Sequence, residues 1–354
     1  VRPSEGPPAD AAPAGTIDTD RFSAAMRDRI IDRARRRLLV TNFRGSAQEP
    51  DLTLPANCGG VGRIRHFRRA TAPGWPPNPL PINPALRALG RGPADVIEAQ
   101  VFQNAACNWR CWYCFVPFDR LSGDPARSVW LSADDLVERY LAEPGRPPVL
   151  DLTGGQPDLV PEWTLWTMDA LQARGVDGDV YLWSDDNLSN DYFFRYLSDA
   201  ERTRVAAYRN YGRVGCFKGY SHASFAFNTR AAPELFDRQF AIMRRLLAAG
   251  LDMYAYVTLT APSATGVADD MARFVDRLQA LDPRLPLRTV PLRIEEFTPV
   301  RARITPAHRA ALDVQERAID SWNAVLAERY SATDRALDIA ATMPRRPTAE
   351  ARRA

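Results

Sequence analysis

Three of the chain's five cysteines fall within eight residues, in CNWRCWYC over residues 107–114. Their spacing is C-x3-C-x2-C: Cys107, Cys111 and Cys114. Bunched thiols of this kind hold zinc or an iron–sulfur centre. Structural zinc wants four closed ligands, and Cys58 and Cys216 stand alone in the sequence. Three thiolates suit a four-iron cluster with one iron left open. A zinc loop completed by His or Asp, or a set of unligated thiols, is the simpler alternative.

Other segments carry polar chemistry. DLTGGQPD (151–158) pairs Gly154 and Gly155 with Gln156, and glycines let a backbone approach a ligand closely. VGCFKGYS (214–221) holds Lys218, the one lysine among 46 Lys plus Arg. WSDDNL (183–188) offers Ser184, Asp185, Asp186 and Asn187, of which one or two could equally be a helix cap. Tyr256, Thr258 and Thr260 share one face of a strand, and line a site only if that face points inward. Arg293, Glu295 and Glu296 are further substrate-side candidates. Arg63, Arg65, Arg68 and Arg69, with His66 and Trp75, could grip an anion, but read more simply as a solvated basic face.

These residues must be positioned by something, and the pattern from residue 94 onward supplies it. Short apolar runs alternate with helical ones: Val96–Phe102, Val149–Thr153, Val180–Ser184, Val214–Phe217, Met253–Leu259 and Thr289–Ile294 read as strands. One intervening helix carries Phe236, Phe240, Met243 and Leu247 and stops at Gly250; a last one runs from about Pro306 to Tyr330. The alternation predicts a parallel sheet of βα units, and six repeats are too few for a closed eight-stranded barrel. The expected fold is α/β: a partial (β/α)6 TIM-type barrel with an N-terminal helical and irregular extension. In such barrels chemistry collects where strands end, and the cysteine loop follows the first strand.

The segments together resemble the radical S-adenosylmethionine (radical SAM) superfamily. CNWRCWYC is similar to its C-x3-C-x-aromatic-C signature, over a match spanning roughly residues 96 to 300. The resemblance implies that Cys107, Cys111 and Cys114 bind three irons of a [4Fe–4S] cluster, whose fourth iron takes the amino and carboxylate groups of SAM. One electron then splits SAM into methionine and a 5′-deoxyadenosyl radical, which takes a hydrogen atom from substrate. Tyr113 is expected near the adenine, and Gly154, Gly155 and Gln156 stand where the family has Gly-Gly-Glu-Pro. Ser184 and Asn187 stand where related enzymes place polar SAM contacts. Asp185, Asp186, Tyr256, Thr258, Arg293 and Glu295 are the substrate-side residues. The Cys216-x-Lys218-Gly stretch resembles the Asp-x-Lys-Gly of the activating-enzyme branch, where the lysine takes the SAM carboxylate. Here Gln156 replaces the Glu and Cys216 the Asp, which leaves the ribose contact to another residue.

Composition narrows the class. The chain is 45% hydrophobic and 25% charged with a net charge of +3, too small by itself to imply a nucleic-acid partner. No apolar run suggests a membrane span, and the cysteine usage fits a reducing cytoplasm. The expected divisions are a disordered tail over 1–18, a helix with a Pro- and Gly-rich cap over 19–93, the core over 94–330, and a loose tail over 331–354. The first helix is read as Arg21 to Leu39, its apolar stripe docked on the barrel rather than touching a membrane. With no further cysteine cluster, the expected protein is a single-cluster enzyme acting on a small molecule, supplied with electrons by a flavodoxin or ferredoxin. An activase or peptide maturase, and a non-catalytic Fe–S protein, are the competing expectations.

Overall fold

A computed structural model describes residues 15–342. Among the described residues, ten strands form two sheets. β1 (Ile31–Asp32), β2 (Arg37–Thr41) and β5 (Ser128–Ser132) make a small antiparallel sheet in the order β1-β2-β5. β3 (Gly62–Arg68), β4 (Val96–Phe102), β6 (Val149–Leu152), β7 (Tyr181–Asp186), β8 (Tyr211–Phe217), β9 (Met253–Thr258) and β10 (Thr289–Leu292) make the large one. Its order is β10-β9-β8-β7-β6-β4-β3; β4 to β10 pair in parallel, and β3 runs antiparallel to β4. β10 and β3 are not paired with each other, so this curled sheet is a half-barrel, compatible with the partial TIM-type barrel expected.

Strand alternation sorts the core into two faces. Leu150, Leu182, Phe217, Met253, Ala255 and Val257 pack on the helix layer. Ile97, Val149, Tyr181, Trp183, Val214, Tyr254 and Tyr256 face inward, where Leu80, Ile82, Ala85 and Leu86 plug the lower end. That plug comes from the stretch read as irregular cap, around the short helix Ile82–Ala88. Above this plug the inner face opens into a cavity near the strands' C-terminal ends.

Four expectations are corrected. The first helix is Thr19–Ile30, not Arg21 to Leu39. Asp32 accepts the Arg35 N–H, Arg36 turns at φ +50°, and the chain returns as β2, so a local turn overrides the helical period. Residues 15–18, read as tail, are tied down: Ile17 bridges Ala231, and Asp18 caps the helix. Residues 331–338 are exposed, but 339–342 dock back, with Ile339 buried and the Thr342 carbonyl accepting from Arg288 Nη1 at 2.6 Å. The outer parts of both tail expectations, 1–14 and 343–354, lie outside the described residues. Finally, the fourth parallel strand begins at Tyr211 rather than Val214. A side chain at Gly212 would meet the Tyr181 hydroxyl and the Trp183 ring, so glycine is what lets the strand continue there.

The first helix is docked rather than free. Buried Arg27 pairs with Glu162 Oε2 at 3.0 Å, donates to the Leu159 carbonyl at 2.7 Å, and lies over the Tyr196 ring. No helix among the described residues is long and apolar enough to cross a membrane.

Candidate active site

The loop after β4 carries the three cysteines, and neighbouring elements grip its backbone and rings. Arg110 Nη1 donates to the Cys107 carbonyl at 2.7 Å, and Arg303 Nε to the Trp112 carbonyl at 2.7 Å. A further Arg303 hydrogen bond goes to the Cys114 carbonyl. Trp112 stacks on His308 with ring centroids 4.5 Å apart and donates to Asn228 Oδ1 at 3.0 Å. Trp109 donates to Thr19 Oγ1 at 2.9 Å, and Asn108 to Ser23 Oγ at 2.8 Å, so the first helix braces the loop as well.

The loop after β6 packs directly beneath it. Gly154 and Gly155 both have positive φ, +79° and +65°. A Cβ on Gly155 would lie 2.0 Å from Asn104 Oδ1 and 2.5 Å from the Ala106 carbonyl oxygen. Only glycine permits this approach. Gln156 N–H then donates to the Ala106 carbonyl at 2.7 Å, joining the two loops.

The side chain of Gln156 explains its own identity. Its Nε2 donates to Asp186 Oδ1 at 2.8 Å, while its Oε1 accepts the Asn187 N–H at 2.9 Å. A glutamate here would set carboxylate against carboxylate. Asp186 already shares Arg213 with Asp158: Arg213 Nη2 reaches Asp186 Oδ2 at 2.6 Å and Asp158 as well. Burial pushes Asp158 up to about 7 despite that arginine. Gln156→Glu is therefore expected to destabilise the fold by about 2–4 kcal/mol near neutral pH in urea unfolding. The deficit should shrink as pH falls, because the introduced buried carboxyl takes up a proton in the folded state before it does in the unfolded one. A variant as stable as the parent at pH 8 would contradict this account of the residue.

Several expected residues converge on one cavity of about 500 Å³ at the C-terminal ends of the parallel strands. Tyr113 and Cys114, Gly154 to Gln156, Asp185 to Asn187, Lys218, Tyr256, Arg293 and Glu295 all line it. Thr258 lies behind Tyr113, its Oγ1 3.0 Å from the tyrosine hydroxyl. Asn187 Nδ2 donates to Asn108 Oδ1 at 2.9 Å and stands 3.8 Å from Cys107 Sγ. Ser184 does not join them. It faces the helix layer, where its hydroxyl meets that of Tyr211 at 2.7 Å, so its expected cofactor contact is withdrawn. Arg293 is engaged with Glu316 at 3.0 Å at the cavity's outer edge.

The thiols fit a metal–sulfur group by their chemistry. All five cysteines are free. Burial pushes the Cys111 thiol up to about 12 and raises that of Cys107, so neither is an exposed, reactive thiolate. Positive charge surrounds them: Lys218 acts on both, and Arg110 on Cys107. Lys218 in turn stands close to Cys216, Tyr113, Cys111 and Cys107, with burial opposing its charge. Among the described residues no three His, Cys, Asp or Glu side chains are arranged to hold a metal ion.

Two residues that line the cavity were read as solvated. Arg63 and Arg65 of β3 belong to its wall, whereas Arg68 is exposed and Arg69 pairs with Asp95. The alternation Arg63, Arg65, Phe67 was the available signal, since Phe67 is a core residue of the inner face.

No family model matches this sequence, and no curated protein matches it. Among solved structures, SuiB of Streptococcus suis bound to S-adenosylmethionine is similar over 50% of this chain and 36% of that one, at 14% identity and a TM-score of 0.36. The match therefore spans about a third of that protein's length. A likeness so slight carries no argument about function.

Proposed function

We propose that this chain is a radical SAM enzyme with a single [4Fe–4S] cluster held by Cys107, Cys111 and Cys114, acting on a small molecule. One observation carries the reading: Tyr113 and Cys114 after β4, Gly154-Gly155 after β6 and Lys218 after β8 come from three separate strand ends to one cavity. A chance C-x3-C-x2-C would have no reason to share a cavity with the other two motifs.

When bound, the cluster and SAM supply one-electron cleavage and hydrogen abstraction; the chain's own residues aim and shield that chemistry. The Gly154-Gly155 turn, which lines the cavity, would offer backbone carbonyls to the SAM ammonium. Lys218 supplies the cation for its carboxylate, and Tyr113 a ring for its adenine. Asn187 points an N–H toward Cys107 Sγ, a contact that stabilises a ligating thiolate. Gln156 holds the Asp186–Asn187 turn in place rather than meeting SAM. An external one-electron donor of the flavodoxin or ferredoxin kind completes the set.

The test is anaerobic loading with iron and sulfide, then titration of the reduced protein with SAM. The reading expects the cluster's electron paramagnetic resonance signal to change on SAM binding; an unchanged signal would argue against an open iron. Lys218→Ala should weaken SAM binding about tenfold or more, the worth of a charge-assisted contact of about 1.5–3 kcal/mol. It should leave unfolding nearly unaltered, because only the backbone of Lys218 is hydrogen-bonded, to Gln239 and Asn228. Equal SAM affinity in the variant would remove that role.

A further inference from the structure

Beside the expected SAM contacts, the inner wall of the cavity holds charged groups with unused hydrogen-bonding capacity. Arg63 Nε is buried with no partner, and its guanidinium lies over the Phe115 ring at 5.2 Å. Arg65 lies over Phe67 at 4.0 Å and approaches Asp151 Oδ2 only to 3.7 Å, beyond hydrogen-bond reach. Asp151 is fully buried, and neither of its carboxylate oxygens accepts a hydrogen bond. Asp185 accepts from Thr153 Oγ1 through one oxygen, while the other is buried and makes no well-formed hydrogen bond, with the Trp183 indole its nearest donor.

Donors and acceptors thus stand close together with hydrogen-bonding capacity left over, linked only by the Arg65–Asp151 ion pair at 3.7 Å. Buried polar groups are ordinarily paired, and the exceptions call for a partner that is missing. The register fixes where this set lies. Arg63 is level with Val101 and Asp151, and Arg65 with Ala99 and Val149, so these three sit deeper in the half-barrel than the Gly154-Gly155 turn, while Asp185, two residues past the Trp183 that pairs with Asp151, stands just below it. Two guanidiniums fit an anionic group of a ligand, and the carboxylates fit an ammonium on the same ligand. A purely anionic ligand would leave Asp185 unsatisfied, and a purely cationic one would leave both arginines so.

We propose that Arg63, Arg65 and Asp185, backed by Asp151, form the substrate subsite, and that the substrate is a small zwitterion of amino-acid type, its carboxylate on the arginines and its ammonium on Asp185. This rests on the radical SAM reading for the word substrate, but not for the binding itself.

The experiment is equilibrium binding to the iron-loaded protein, with SAM present, at millimolar concentrations of probe. The probes are the common free L-amino acids, their N-acetyl derivatives and their amides. The expected result is that at least one free amino acid binds while its acetylated and amidated forms do not. Arg65→Gln and Asp185→Asn should each weaken that binding about tenfold or more and leave SAM affinity unchanged. Circular dichroism and thermal unfolding confirm that the variants are folded; should Arg65→Gln fail to fold, Arg63→Gln replaces it. The proposal is overturned if no free amino acid binds, or if the blocked forms bind equally well. It is also overturned if the variants bind as the parent does, or if Asp185→Asn weakens SAM, which would assign Asp185 to the SAM ribose. Zwitterion binding without any SAM cleavage would instead refute the radical SAM reading and leave this subsite standing.

Discussion

Cys111→Ala is expected to yield a folded chain that takes up no stable four-iron cluster and forms no 5′-deoxyadenosine. Cys107→Ala and Cys114→Ala should behave alike. The three thiols sit on a loop whose backbone and rings are fixed by Arg110, Arg303, Trp112 and Trp109 rather than by the sulfurs. Removing one sulfur therefore costs little scaffold, and burying alanine in place of a protonated thiol leaves no unpaired charge. Iron and sulfide content per chain, with thermal unfolding as the control, separates the outcomes. Full iron loading by any of the three variants would contradict the ligand assignment. Cys58→Ala and Cys216→Ala provide the comparison: neither belongs to the loop, and both should load as the parent does.

The second large effect is structural. Gly155→Ala should destabilise the protein by about 2–4 kcal/mol, combining overpacking with a left-handed backbone that alanine resists. The clash is with Asn104 Oδ1 and the Ala106 carbonyl, the backbone just before Cys107, so the fault is transmitted straight to the cluster loop. Gly145 is a control with the same φ of +65° and nothing within 4 Å of its would-be Cβ. Gly145→Ala should cost about 1 kcal/mol from backbone conformation alone. Urea unfolding of the two variants measures the difference. If they lose equal stability, the close approach of the two loops is not what Gly155 provides.

Much of this was legible in the residues because the signals are local. Each parallel strand is a short apolar run bounded by turn residues, and strand placement followed from that. The three motifs could be set on strand ends for the same reason. What escaped was tertiary. Only the short alternation with Phe67 marks Arg63 and Arg65 as inward-facing, a weak signal because their strand runs antiparallel at the edge of the sheet and is half polar. The hairpin after Ile30 hid behind a helical apolar period, and an Asx-type turn at Asp32 broke it. Ser184 and Asp185 are neighbours in sequence, yet one faces the helices and the other the cavity. Only the sheet's register decides which. Gln156 shows the reverse: a departure from the familiar motif that looked like a loss is explained by Asp186, which comes from the next strand.

The central claim is that these residues bring about reductive cleavage of SAM. The measurement that tests it most directly is the anaerobic assay of the iron-loaded, dithionite-reduced protein with SAM, with 5′-deoxyadenosine quantified by mass spectrometry. The account predicts 5′-deoxyadenosine and methionine in equal amounts from the parent and none from Cys111→Ala. A fully loaded, SAM-binding parent that releases no 5′-deoxyadenosine, with or without an amino-acid-type substrate, would contradict it.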